Sequence, residues 1–329
     1  MEQGKPLLVV ENLKIEFHTE EGVITAVDDV SFDLEPGETL GLVGESGCGK
    51  SVTALSIMGL LPLAGRASGG RILFQGENLL QKSEKAMRAI RGREISMIFQ
   101  EPMTSLNPVY TVGDQLAEAI VIQQKVNRKE AYSRAVEALK MVGIPLPEQR
   151  VKEYPHQLSG GMRQRVMIAM ALFSKPKILI ADEPSTALDV TIQAQIIQLM
   201  LELKEELGTA IILITHDLGV IAEMAQRVAV MYAGQVVEQA SARDIFENSK
   251  HPYTEGLLKS IPSVEQDQEH LHVIKGTVPH PLNMPAGCYF HPRCPYAWDL
   301  CRETPPVLEP ARPKHLVRCW KISKELAQK

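Results

Sequence analysis

Short, uninterrupted apolar runs rich in β-branched residues recur through the first 240 residues, at 39–43, 178–181, 210–215 and 228–232. Runs of this length without polar alternation suit strands buried on both faces of a sheet. Segments with helical spacing separate several of them, which predicts crossover units and an α/β domain over residues 1–240. Between about residues 103 and 175 the character changes. Asn127 with Glu130 makes a capping box ahead of apolar positions at helical spacing over 131–142, and no long strand pattern interrupts the stretch. A helical insertion is expected there. Residues 189–207 predict a further helix, with Gly208 as its stop.

Past residue 240 the pattern breaks up. Residues 262–268 read as a linker, and Pro279, Pro281 and Pro285 stiffen the approach to an end carrying Cys288, Cys294, Cys301, Cys319, Trp298 and Trp320. The expectation is a C-terminal extension over 241–329 holding a separate Cys-rich module at about 276–320. There is no internal repeat and no low-complexity tract.

Composition narrows the class. Of 329 residues, 44% are hydrophobic and 23% charged, as in an ordinary globular chain. A formal net charge of −5 supplies no basic field to draw nucleic acid. No apolar run approaches the ~18 residues that span a bilayer. Near the start only residues 7–10 are continuously apolar, too short for a signal-peptide core. A soluble intracellular protein is expected.

The strongest chemical signal is Gly44-Glu45-Ser46-Gly47-Cys48-Gly49-Lys50-Ser51, a complete phosphate-loop pattern between a strand-like run and the apolar segment that opens at Val52. Glycines permit a tight loop whose N–H groups point inward at phosphate oxygens. Lys50 would neutralise the β- and γ-phosphates, and the Ser51 hydroxyl would ligate magnesium. Cys48 reads as a loop residue that the pattern does not require. Residues 178–183 end an apolar run in Asp182 and Glu183. Asp182 then stands at the carboxyl edge of a sheet, suited to a magnesium shell, and Glu183 to orienting or deprotonating the attacking water. His216 follows another run and would reach the γ-phosphate from that edge; the same position also fits a solvated loop. Gln100, after an apolar triplet, is unremarkable by itself. Leu158-Ser159-Gly160-Gly161-Met162 places an N-cap serine and two glycines at a helix start, a second place for an anion or a simple cap.

The spacing of the four terminal cysteines, Cys-x5-Cys-x6-Cys-x17-Cys, leaves open an iron–sulfur cluster, zinc or reduced unliganded thiols, with a disulfide least suited to the cytosol.

Taken in order, the phosphate loop, Gln100, the 158–161 signature, Asp182-Glu183, residues 185–189 and His216 resemble ATP-binding-cassette ATPases over roughly residues 7–240. Glu101-Pro102-Met103-Thr104-Ser105-Leu106-Asn107-Pro108 and the Cys-rich end are similar to the ATP-binding subunits of bacterial dipeptide/oligopeptide importers, including relatives that carry nickel complexes. The resemblance implies a P-loop NTPase fold, with a RecA-like core, an antiparallel β subdomain and a helical subdomain. It implies an ATPase converting ATP and water to ADP and phosphate, coupled to transport. Two such subunits, identical or not, would dimerise head to tail around two ATP molecules. Each ATP would lie on one subunit's phosphate loop and Val52 and face Ser159, Gly160, Gly161 and Asp189 of the other. Phe17 is the implied adenine platform. Ser51, Gln100 and Asp182 would hold magnesium; Gln100 would also couple to the membrane subunits, Glu183 would act on water, and His216 would contact the γ-phosphate. Two permease subunits, an extracellular substrate-binding protein and a place on the cytoplasmic face of the membrane follow. The ending Cys288-Tyr289-Phe290-His291-Pro292-Arg293-Cys294-Pro295 resembles importer tails that bind a 4Fe–4S cluster, so the resemblance implies that cluster on the four cysteines, with zinc as the alternative.

Rival readings are a soluble cassette ATPase of DNA repair or translation, and a metal or redox sensor with a vestigial nucleotide site. The first group usually carries long coiled-coil insertions or two cassettes, against one cassette and a short insertion here. The complete set of phosphate-site residues argues against the second.

Overall fold

The computed structural model describes residues 5–100, 105–185, 188–260 and 273–322. The expected linker at 262–268, residues 101–104 of the importer-like run and residues 186–187 lie outside the described residues. In chain order the strands are β1 (Leu8–Thr19), β2 (Gly22–Leu34), β3 (Thr39–Val43), β4 (Gly65–Phe74), β5 (Glu77–Asn78), β6 (Ile95–Ile98), β7 (Ile178–Asp182), β8 (Ala210–Ile214), β9 (Arg227–Tyr232), β10 (Gln235–Ser241), β11 (Glu309–Arg312) and β12 (His315–Val317). The chain forms two compact units.

The first unit comprises Met1–Glu35, Thr39–Lys82 and Thr215–Lys329. An antiparallel sheet runs in the order β2-β1-β4-β5. Along β1, Leu8, Val10, Leu13 and Ile15 point into the core while intervening residues stay half-exposed, the alternation of a strand buried on one face. The register slips between Val10 and Leu13, where Asn12 takes a left-handed φ of 45°. Its side-chain amide donates to Asp29 Oδ1 at 2.7 Å, which holds the bulge. A second set of strands follows the order β3-β9-β10-β12-β11. Here β3 and β9 are parallel and the remaining pairs antiparallel. All five residues of β3 are buried. The β9–β10 hairpin turns on Ala233 (φ 46°) and Gly234 (φ 85°), the pair of positive values a two-residue turn needs.

The C-terminal end is not the separate metal-held module expected from the composition. Strand β12 pairs with β10, and Val317 is fully buried. Arg318 Nε donates to Val236 O at 3.0 Å, and Arg318 Nη2 reaches Asp29 Oδ2 at 3.0 Å. His315 Nε2 lies 2.7 Å from Glu238 Oε1, both side chains almost wholly buried. Phe290 packs edge-on to Tyr232 and Tyr253. A small segment needs a staple when it must build its own core; this one shares the core of the strands beside it.

The second unit comprises Pro36–Glu38 and Ser83–Ile214. Strands β6, β7 and β8 are parallel, with Ile98 opposite Ala181 and Asp182 opposite Ile214. Helix Val190–Leu207 joins β7 to β8 and ends on Gly208 in the left-handed conformation, as the sequence predicts. The expected helical stretch resolves into Val112–Gln124, Arg128–Met141, the short Pro147–Arg150 and Gly160–Leu172. Asn127 caps the second of these, its side chain accepting the Glu130 N–H.

Candidate nucleotide site

Strand β3 delivers the chain into the phosphate loop, and helix Lys50–Met58 leaves it. Three of the loop's glycines have positive φ: Gly44 at 150°, Gly47 at 79° and Gly49 at 101°. Gly44 is fixed by proximity, since a Cβ there would stand 2.1 Å from Met231 O. Gly49 precedes the helix in a left-handed conformation and offers no side-chain cap. The first-turn N–H groups therefore keep their donor capacity for a ligand. Ser46 and Gly47 are exposed at the mouth of the loop; Ser51, Val52 and Glu45 are half-buried.

Lys50 is 7% exposed. Its ammonium donates to Gly44 O at 2.7 Å and Glu45 O at 3.1 Å. Among the described residues it forms no ion pair with a carboxylate. A buried ammonium held by neutral acceptors retains an unbalanced charge, a costly arrangement unless an anion completes it. The loop thus fits a phosphate group on this chain's own geometry. Cys48 lies beneath the loop, 1% exposed, with Sγ 3.6 Å from Lys50 Nζ. Burial raises its thiol pKa above the ordinary range, so it packs as a neutral side chain. The Ala233–Gly234 turn supports the loop from behind: the Gly234 N–H donates to Cys48 O at 3.0 Å, and Gly234 O accepts the Asp28 N–H at 2.8 Å. In the same unit Phe17 lies on β1 opposite Ile24 and Gly65, half-buried, and His216 is exposed just after residue 215. A Cβ on Gly65 would meet the Phe17 ring at 2.8 Å, so glycine lets that ring lie flat on β4.

The second unit carries the other acids. Asp182 ends β7 and is 4% exposed. Glu183 follows with a left-handed φ of 47°, and its N–H donates to Ile214 O at 2.8 Å. Gln100, two residues past β6, donates from Nε2 to Glu183 Oε2 at 3.0 Å. The structure thus brings together two residues 83 apart in sequence. The signature residues open helix Gly160–Leu172, where the Ser159 hydroxyl accepts the Met162 N–H at 3.3 Å. Asp189 caps helix Val190–Leu207 by accepting the Ile192 N–H at 3.0 Å. Gly161 permits these helices to approach, because a Cβ there would stand 2.7 Å from Ile192 Cγ2.

The iron–sulfur expectation is corrected here, together with its zinc alternative. Among the described residues no group of three or more His, Cys, Asp or Glu side chains is placed to hold a metal ion. Cys288, Cys294, Cys301 and Cys319 are free thiols around a cavity of about 20 Å³ that His251 and Trp298 also line. Burial pushes Cys288 up to about 11 and Cys319 up to about 12, and raises Cys294 as well.

Comparison with known proteins agrees with this geometry. The description "ABC transporter" matches residues 27–186, and "Oligopeptide/dipeptide transporter, C-terminal region" matches residues 237–301. The oligopeptide transport ATP-binding protein AppD of Bacillus subtilis is 54% identical over 323 residues, covering 98% of each chain. The chain belongs to the oligopeptide/dipeptide ABC transporter ATP-binding family. It is an ABC ATPase. The dipeptide transport ATP-binding protein DppD of Escherichia coli is 53% identical over 302 residues, covering 92% of each chain. Among solved structures, the ABC cassette is similar to the dimeric post-hydrolysis state of the ATP-binding cassette MJ0796 bound to ADP and Pi. The TM-score is 0.64 at 29% identity, with 72% of this chain and 99% of that one covered.

Proposed function

We propose that this ABC ATPase energises the uptake of dipeptides or oligopeptides, working as a peripheral subunit on the cytoplasmic face of a membrane transporter. The observation that carries the reading is the buried Lys50 ammonium, without a carboxylate partner among the described residues, on a helix start with no side-chain cap, in a chain similar over 92–98% of its length to proteins named for peptide transport. Among the described residues no helix is long and apolar enough to cross a membrane. Two permease subunits would supply the path, and an extracellular binding protein the cargo.

In this reading the residues divide the work of ATP hydrolysis. The N–H groups of Gly47, Gly49 and Lys50 and the Lys50 ammonium grip the phosphates. Phe17 stacks on the adenine. Ser51, Asp182 and Gln100 are the oxygen ligands suited to magnesium, which when bound offsets charge on the β- and γ-oxygens. Glu183 accepts a proton from the attacking water, whose oxygen bonds to the γ-phosphorus as the bond to the β–γ bridging oxygen breaks. Gln100 already donates to Glu183 and so holds that carboxylate in one orientation. His216 contacts the γ-phosphate. A second ATP-binding subunit completes the pocket with its own copies of Ser159, Gly160, Gly161 and Asp189, or their equivalents; the dimeric state of the MJ0796 cassette supports this. Closure around ATP and reopening after hydrolysis switch the permeases between access states.

The test is Glu183→Gln in the assembled transporter. The amide keeps the shape of the site and removes the proton acceptor, so hydrolysis is expected to fall about 10²–10⁴-fold while ATP stays bound and peptide uptake stops. Sedimentation with ATP should give a dimer of cassettes. A monomer would sink the two-subunit pocket, and undiminished peptide uptake would sink the motor role.

A further inference from the structure

Glu45 is the acidic residue of the phosphate loop, and the C-terminal third of the chain reaches back to it three times over. Arg293 Nη1 donates to Glu45 Oε2 at 2.7 Å and Nη2 to Glu45 Oε1 at 3.0 Å, a two-pronged clasp. The Arg293 side chain is 4% exposed. It is held from behind by Lys275 O, which accepts from Nε at 3.2 Å, and its guanidinium lies 5.7 Å over the Tyr232 ring. The Glu45 N–H donates to the Tyr253 hydroxyl at 2.8 Å. Its carbonyl receives the Lys50 ammonium at 3.1 Å. One loop residue therefore ties the tail, helix Pro252–Lys259 and the phosphate-binding lysine together.

We infer that Arg293 is a positioning residue for nucleotide binding: it neutralises the Glu45 carboxylate beside the phosphate loop and sets the loop's backbone for ATP. Left alone, that carboxylate would repel the triphosphate and let the Glu45 carbonyl, and with it Lys50, shift. The fork geometry matters as well as the charge, because two parallel donors fix the carboxylate plane and a point charge does not. Sequence spacing hides the link, since the two partners lie 248 residues apart. The tail thereby acquires a task in the ATPase: presenting Arg293.

This rests on the phosphate loop being the ATP site, so wild-type behaviour is measured first. ATP affinity of the full-length chain is titrated with a fluorescent ATP analogue, and kcat and KM for ATP are taken in the assembled transporter. Arg293→Ala should weaken affinity and raise KM by about tenfold, the scale set by one uncompensated charge at an effective dielectric near 20, with kcat within about threefold. Arg293→Lys should sit between, about two- to fivefold weaker, because it keeps the charge and loses the fork. Adding Glu45→Gln to Arg293→Ala should recover most of the affinity by removing the repelling charge. Unchanged affinity in both single variants overturns the proposal, as does a loss that Glu45→Gln fails to relieve. Should Arg293→Ala not fold, Arg293→Lys decides between the same outcomes. A wild-type chain that binds no ATP overturns the nucleotide-site reading instead.

Discussion

Helices Lys50–Met58 and Gly160–Leu172 each have a glycine at or next to their start, and both present a positive dipole end. They are nevertheless finished differently. The first follows Gly49, which has no side chain to offer, and carries a buried ammonium on its first residue. The second follows Ser159, whose hydroxyl already accepts the Met162 N–H. One start leaves its donors and a cation for a ligand; the other is satisfied in part by its own cap. On the proposed function, the contrast separates a primary anion site, built from this subunit's own groups, from a surface that would complete a neighbour's site.

Substitutions at the two starts should therefore differ in kind. The largest effect is expected for Lys50→Ala, which removes the side-chain cation bonded to the Gly44 and Glu45 carbonyls. ATP hydrolysis should drop by at least about 100-fold, the cost of losing an electrostatic clamp in a dry site, and an ATPase assay checks it. Retained activity would erase the distinction between the two starts. Gly161→Ala comes next. Its methyl would intrude on Ile192 Cγ2, so unfolding free energy should fall by about 1–3 kcal/mol in a denaturant titration, and Ile192→Ala, which removes that methyl, should relieve part of the loss. Smallest is Ser159→Ala, expected to cost about 1 kcal/mol of stability through the lost cap with ATP affinity of the isolated chain unchanged. A Ser159→Ala chain that loses ATP binding on its own would mean that both starts serve the same nucleotide within one subunit.

The same contrast marks how far the sequence could be read. Elements governed by local chemistry were legible: β3 and β8 are continuous apolar runs, and Asn127, Asp189 and Gly208 signal helix ends through their own side chains or their own φ. Strands β1 and β2 are not unbroken apolar runs, because they bury one face and alternate. Strands β11 and β12 were hidden for another reason. They are four and three residues long, and their place depends on contacts with Glu238 and Asp29 far back in the chain. Within the site, the phosphate loop announces itself because its whole function fits in eight consecutive residues. The Arg293 clasp does not, since an arginine near a cysteine carries no mark of the glutamate it will meet. The cysteine spacing misled in the opposite direction: four thiols that lie near one another are equally the lining of a small apolar pocket.

The Ala233–Gly234 turn sets a practical limit on how this cassette can be altered. Two-residue hairpins are ordinarily where an epitope tag or a reporter peptide is spliced in at little cost, because such tips face solvent. This one faces inward, bonded on one side to the backbone of Cys48 and on the other to that of Asp28. Lengthening it by even one residue would unseat the floor under the glycine-rich loop that precedes Lys50, so labelled versions of the protein should carry their cargo elsewhere.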